Sequence, residues 1–197
     1  MSSDADTLSR LLGGFQRSAW RLEARDRYGA DPELHAYLRG DPLPPPADAG
    51  MRAYLENLRA MPAQGRSSGR VHAIAGPLTP YLRYEVDWGY ARTADAGDDV
   101  RILHRRNWAE SPFGEQPPDF WLFDAELPEA SVALMHYAPD GEWRGLEVIT
   151  GDVGDYIQLR DLAVRDSIAL REYLAVLRTT PIDLVDALLP PARRLAS

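Results

Sequence analysis

One short segment near the middle of the chain, Asp-Phe-Trp-Leu-Phe-Asp at 119–124, restricts the possible folds more than any other. Alternate side chains of a strand share a face, so Phe120 pairs with Leu122, and Trp121 pairs with Phe123. Because both faces are apolar, the segment is typical of a central strand that is covered on both sides. The chain is therefore expected to contain a sheet with material packed against each face.

The remaining segments predict a sheet surrounded by helices. Alternating or apolar runs favour strands at 20–26, 71–74, 100–103, 131–137 and 143–150. Helical spacing or an opening proline favours helices at 5–18, 31–38, 51–61, 152–178 and 181–186. Another helix opens at Pro77–Pro80, and Gly89 and the acidic cluster 95–99 are expected to terminate it. The predicted class is α+β (or α/β), a mixed sheet of about five strands with flanking helices.

The predicted domain organisation is a core followed by a helical extension. Residues 1–150 are expected to form an α/β core domain, and residues 151–197 a C-terminal helical extension packed on that core. The proline-rich stretch 41–49 is interpreted as a surface loop rather than a domain linker. The apolar face of 159–177 could form the seam of a homodimer, although such faces more often cover a sheet.

Composition excludes several classes of function. The 197 residues include no cysteine, and all 22 basic residues are arginine. This excludes disulfides, zinc fingers, thiol nucleophiles, Schiff-base enzymes and the P-loop lysine. A net charge of −8 argues against direct nucleic-acid binding, and no apolar run approaches the ~20 residues of a membrane span. We expect a cytoplasmic protein without cofactor, metal or membrane partner.

Candidate acid/base residues come from single positions, because the common catalytic motifs are missing. His136 lies on a predicted strand, where it faces away from Met135 and could act as a general base. Asp124 at the end of the central strand and Glu85 on the predicted helix are candidates for acid/base chemistry. Asp119 also flanks the central strand, and a strand-end carboxylate beside a tryptophan is a plausible position for a site. For His136, the simpler interpretation is a solvent-facing strand residue.

Arginines and carboxylates occur together in two places, which suggests anion recognition. On a strand at 20–26, Arg21, Glu23 and Arg25 project to one face. An arginine fork of this kind could bind a carboxylate or phosphate. The candidate ligand-binding residues on these two segments and on the aromatic strand are Arg21, Glu23, Arg25, Tyr81, Arg83 and Trp121. The alternative is a solvated salt-bridge face of little energetic value.

Three motifs together resemble an actinobacterial family of domains of unknown function. They are RLEARDRY at 21–28, PLTPYLRYE at 77–85 and DFWLFD at 119–124. Members of that family are often encoded beside helix-turn-helix regulators of development and secondary metabolism. The resemblance implies a regulatory or accessory role but assigns no catalytic residue.

Two hypotheses from different classes follow. The first is a regulatory or accessory domain that binds a small molecule or a partner regulator of the helix-turn-helix type. The second is a cofactor-independent enzyme of natural-product biosynthesis, an isomerase, cyclase, lyase or hydrolase that uses histidine and carboxylate chemistry. Convergent ionisable groups in a closed pocket would favour the enzyme, whereas a flat apolar patch would favour a partner-binding module.

Overall fold

A computed structural model describes residues 3–29, 32–46, 49–104, 108 and 110–179. The helices are α1 (Asp4–Gly14), α2 (Pro32–Leu38), α3 (Ala49–Ala60), α4 (Pro80–Tyr84), α5 (Tyr90–Asp95), α6 (Gly154–Asp166) and α7 (Leu170–Thr179). The strands are β1 (Ser18–Glu23), β2 (Ser67–Ile74), β3 (Asp99–His104), β4 (Phe120–Phe123), β5 (Ser131–Tyr137), β6 (Trp143–Thr150) and β7 (Ile168–Ala169). The helix expected at 181–186 lies outside the described residues.

The strands form one mixed sheet in the order β6-β5-β4-β1-β2-β3-β7. The three strands β1, β2 and β3 are parallel, and the other neighbours are antiparallel. The α+β class is confirmed, with seven strands among the described residues rather than about five. The two-residue strand β7 lies inside the segment 152–178, which was expected to be one helix. The sequence does not reveal the break between α6 and α7, because apolar residues continue at helical spacing on both sides of Ser167.

The central strand β4 is buried on both faces, as its sequence predicts. One face, with Phe120 and Leu122, packs in a core that includes Leu159 of α6. The other face, with Trp121 and Phe123, packs in a second core that includes residues of α1 and α3. Two-sided coverage fixes β4 in the middle of the sheet, so its two ends are the only parts of it available to a site.

The helical segment that opens at Pro80 is longer than expected. Gly89 does not end it: the segment passes from α4 through a π-helical turn at Glu85–Gly89 into α5, which ends at Asp95. A Cβ on Gly89 would lie 2.5 Å from a carboxylate oxygen of Glu85, so the glycine accommodates that side chain. The acidic cluster does mark the end, since β3 begins at Asp99.

The C-terminal helices pack against the sheet. Leu159 and Ala163 of α6 are fully buried in the core beside β4, and Tyr173 of α7 is fully buried near β3. The domain boundary proposed at 150 stays a prediction. No helix in the described part of the chain is long and apolar enough to cross a membrane.

Candidate functional site

A set of charged side chains lies inside the fold where β1 and β2 run side by side. In the parallel register of β1 and β2, Arg21 lies beside Arg70, and Glu23 lies beside His72. The Glu23 carboxylate lies 3.1 Å from Nε of Arg21 and 3.7 Å from Nη1 of Arg70. Burial alone would raise the pKa of Glu23, but Arg21 and Arg70 outweigh it and lower the pKa to about 2. We call Arg21, Glu23, Arg70 and His72 the buried cluster.

Hydrogen bonds complete this buried cluster. The Tyr90 hydroxyl lies 2.6 Å from Glu23 and also contacts Nδ1 of His72. Nε2 of His72 lies 2.8 Å from the backbone carbonyl oxygen of Arg25. Burial lowers the pKa of His72, against the opposing effect of Glu23. The cluster therefore connects the interior of β1 and β2 to the backbone that follows β1.

The predicted ligand-binding residues Arg21 and Glu23 thus face the interior rather than solvent. In addition to its ion pair with Glu23, Arg21 donates a hydrogen bond to the Tyr137 hydroxyl at 2.9 Å, and its guanidinium lies 5.4 Å from the Trp121 ring. Trp121 is buried under it. Arg21 and Glu23 thus have polar partners within the protein, and Trp121 packs beside Arg21. The predicted ligand-binding role of these three residues stays a prediction. The solvated salt-bridge alternative does not describe them, because Arg21 and Glu23 side chains are only 13% and 8% exposed.

Asp124, at the far end of β4, anchors the chain before β1. Its carboxylate accepts backbone N–H groups of Gln16 at 2.9 Å, Arg17 at 2.6 Å and Ser18 at 3.2 Å. Its own φ is +53°, a left-handed conformation that aspartate tolerates better than most residues. These contacts occupy the carboxylate that the sequence offered as an acid/base candidate.

Asp119, at the opposite end of β4, has a different environment. Its Oδ1 accepts the Tyr28 hydroxyl at 2.6 Å, and Oδ2 accepts the backbone N–H of Ala24 at 3.3 Å. The closest cationic atom among the described residues is Nη2 of Arg21, 3.9 Å away. Burial raises the pKa of Asp119 to about 6, although Arg21 and Tyr28 lower it.

A pocket of about 890 Å³ opens beside Asp119. It lies where β1 and β5 end and β4 begins, since register places Leu22 and Leu134 beside Phe120. Its lining residues, drawn from three strand ends and one loop, are Ala24, Arg25, Trp108, Glu115, Gln116, Pro117, Pro118, Asp119, Leu134, Met135, His136 and Tyr137. We call this cavity the strand-end pocket.

Two of the predicted site residues line the strand-end pocket, Arg25 and His136. Arg25 donates to the carbonyl oxygen of Ala138 at 2.7 Å and lies 5.7 Å above the Tyr137 ring. His136 is exposed, and Met135 beside it is buried, as the alternation predicts. The pocket therefore contains one arginine, two carboxylates (Glu115 and Asp119) and one histidine.

The candidates on the α4 segment lie elsewhere. The Tyr81 hydroxyl donates to Oε1 of Glu85 at 2.8 Å, so these two residues share a face as their spacing predicts. Arg83 lies on the same segment, near Tyr37. None of the three lines the strand-end pocket. Their proposed roles stay predictions.

A tight backbone contact holds the segment that carries Tyr28. The N–H of Gly29 donates to the carbonyl oxygen of Gly141 in the turn between β5 and β6, at 2.8 Å. Gly141 has a φ of +87°, and a Cβ there would lie 2.7 Å from the carbonyl oxygen of Arg27. Only glycine fits this contact without displacing the segment.

The sequence indicates Asp119 as a plausible strand-end site position, although not as one of the chosen acid/base candidates. It does not single out Trp108 or Tyr28 for the site, because both come from irregular segments without periodicity. Among the described residues, no group of three histidine, aspartate or glutamate side chains could hold a metal ion. The donor set of the strand-end pocket is instead suited to hydrogen bonding, ion pairing and proton exchange.

The fold and the pocket define an α+β protein with one mixed seven-stranded sheet and a polar cavity at the end of its central strands. The chain belongs to the family described as "Domain of unknown function (DUF6879)", whose model matches residues 6–175. None of the curated proteins compared with the chain matches it.

Proposed function

We propose that this domain is a regulatory or accessory module that binds a small molecule in the strand-end pocket. The observation that supports this is the meeting of polar groups from separate elements, Arg25, Asp119 and His136, in one cavity. A volume of about 890 Å³ is within the usual range for small-molecule sites. The walls formed by Trp108 and Met135 supply the apolar surface that such sites use for affinity.

We further propose the setting that the motif resemblance implies. The domain would act in the cytoplasm, in actinobacterial development or secondary metabolism, together with a helix-turn-helix regulator as its partner. A bound molecule would change the affinity for that regulator through the β5–β6 hairpin, because Tyr137 and Ala138 both contact Arg25. Such coupling requires that the ligand bind one state of the protein better than the other.

The first test is native mass spectrometry of the protein purified gently from its own producing organism. We expect a stoichiometric small-molecule adduct, and we expect it to be lost when His136, an exposed lining residue of the pocket, is replaced by Trp to fill the cavity. The matched control is Val148→Trp on β6, where Val148 is 41% exposed. An adduct that survives pocket filling, or a protein that never holds a small molecule, would contradict the proposal.

The second candidate is a cofactor-independent enzyme, an isomerase, cyclase, lyase or hydrolase. It is favoured by Asp119, whose pKa of about 6 would let it exchange protons near neutral pH, with His136 in the same pocket. In this enzyme hypothesis, Asp119 is the acid/base residue in place of Asp124 and Glu85, the candidates that the sequence indicates. Turnover of the native ligand into one product, abolished in both Asp119→Asn and His136→Gln, would establish the enzyme. Binding without turnover would leave the regulatory module.

A further inference from the structure

The strand-end pocket contains two groups of opposite charge that are not paired with each other or with a close counter-ion. Asp119 has no cationic atom nearer than 3.9 Å among the described residues, and that neighbour, Arg21, is already engaged by Glu23. Arg25 forms no ion pair within 4.0 Å in the described part of the chain. Its Nε is buried without a hydrogen-bond partner.

Each of these groups keeps bonding capacity for a ligand. An ionised carboxylate has about four lone-pair positions, and Asp119 uses one for Tyr28 and one for Ala24. A guanidinium has five N–H donors, and the hydrogen bond to Ala138 uses one of those on Arg25. Partly dehydrated charges of this kind gain most from an oppositely charged group, because water no longer screens them.

Most of the other residues that line the pocket beside these two charged groups form an apolar wall. Trp108, Pro117 and Met135 are buried there, and Pro118 and Leu134 are half-buried. The other ionisable groups, Glu115 and His136, are exposed and lie at the rim. A fitting ligand therefore has a cationic end, an anionic end and an apolar portion.

We propose that the strand-end pocket is a receptor for a small zwitterion of the α-amino-acid class, with the ammonium bound by Asp119 and the carboxylate bound by Arg25. The apolar side chain of the ligand lies against Trp108 and Met135. This inference rests on the proposed small-molecule function and adds the chemical class of the ligand.

The direct test varies the ligand and leaves the protein intact. Isothermal titration calorimetry compares L-phenylalanine with N-acetyl-L-phenylalanine, which lacks the ammonium, and with L-phenylalanine amide, which lacks the carboxylate. We expect each derivative to bind about tenfold or more weakly than the zwitterion, the loss typical of one charge-assisted hydrogen bond. Equal binding of the zwitterion and either derivative would overturn the assignment of the corresponding end.

Two variants then assign the ends. In Asp119→Asn, L-phenylalanine and N-acetyl-L-phenylalanine should bind with similar affinity, because no carboxylate is left to prefer the ammonium. In Arg25→Gln, L-phenylalanine and L-phenylalanine amide should bind with similar affinity, because no guanidinium is left to prefer the carboxylate. The matched controls are the exposed Asp161→Asn and Arg144→Gln, whose side chains are 64% and 57% exposed. Thermal melts of all four variants confirm folding, and unchanged affinity differences in folded Asp119→Asn or Arg25→Gln protein would overturn the proposal.

Native mass spectrometry separates this proposal from the broader one. A bound molecule of another class, together with no binding of the phenylalanine series, would overturn the zwitterion receptor and leave small-molecule binding in place. A protein that holds no small molecule and binds none of the series would overturn both. Displacement of the native ligand by L-phenylalanine, but not by its two derivatives, supports both.

Discussion

The two ends of β4 present the same residue type in opposite roles. Asp124 accepts backbone N–H groups from three successive residues and joins the start of β1 to the end of β4. Asp119 receives one hydroxyl and one longer N–H contact, and burial raises its pKa to about 6. The difference shows that the surrounding donors, not the aspartate itself, decide how many of the oxygen lone pairs of a strand-end carboxylate the fold uses.

The largest effect is expected at Asp124. Asp124→Ala would leave three backbone N–H groups without their acceptor and place alanine at a φ of +53°, so we expect a loss of about 4 kcal/mol in the free energy of unfolding. Asp124→Asn should cost less, because asparagine keeps one acceptor oxygen and tolerates this backbone conformation. Urea denaturation measures both. Equal stability of the alanine variant and the wild type would show that the anchoring role is wrong.

The next effect distinguishes Asp119 by its pH dependence. Its pKa in the fold is about 6 against an ordinary 3.8, so the native state binds this proton more tightly than the unfolded chain does. The contribution of Asp119 to stability is therefore complete only well below its ordinary pKa of 3.8 and is lost as the pH rises through about 6. The free energy of unfolding of Asp119→Asn minus that of the wild type should increase by about 3 kcal/mol between about pH 3 and about pH 7.

Denaturation of both proteins at several pH values isolates this difference from all other titrating groups. Glu23, whose pKa is lowered to about 2, contributes stability that is lost only as the pH falls below its ordinary 4.5. Because Glu23 is present in both proteins, its effect cancels in the subtraction. A difference that stays constant with pH would mean that Asp119 is not held at a raised pKa.

A smaller effect tests the donor that supports Asp119. Tyr28→Phe removes the hydroxyl that donates to Asp119 at 2.6 Å, so the pKa of Asp119 should rise further. The loss of stability should be about 1 kcal/mol, the value of one hydrogen bond. Nuclear magnetic resonance titration of the Asp119 carboxyl measures the pKa directly. A downward shift would contradict the proposed role of Tyr28.

The smallest effect is expected at His136. Its side chain is exposed, so His136→Gln should change the free energy of unfolding by less than about 0.5 kcal/mol. Chemical denaturation at neutral pH measures this change. A loss of several kcal/mol would reveal a structural role and would remove His136 from the list of candidate ligand-binding groups.

The sheet could be predicted from the sequence because its strongest signals are local. Two-sided apolarity placed β4 in the interior, and alternation located β5 and β6 correctly. The path through Gly89 could not be predicted, since a glycine ends helices more often than it allows a carboxylate such as Glu85 to fold back against it. β7 has only two residues and is paired by a strand more than sixty residues away.

The site could be predicted only in part. Arg25 and His136 were selected from the sequence and both line the strand-end pocket. The inward orientation of Arg21 and Glu23 depends on Arg70, which is distant in sequence, so alternation along β1 alone suggested an exposed face. Asp119 and Asp124 look equivalent in the sequence. Their backbone donors come from segments about 100 residues earlier, which no local pattern reveals.

The contact between Gly141 and the segment at 27–29 affects how variation in this family should be interpreted. Gly141 is not among the residues that line the pocket, yet any side chain there would displace the segment that positions Tyr28 against Asp119. A glycine retained at this position in homologues would therefore record a steric requirement of the scaffold. Under the proposed function, substitutions that change the ligand preference should instead accumulate among the wall residues of the strand-end pocket, while the turn remains unchanged.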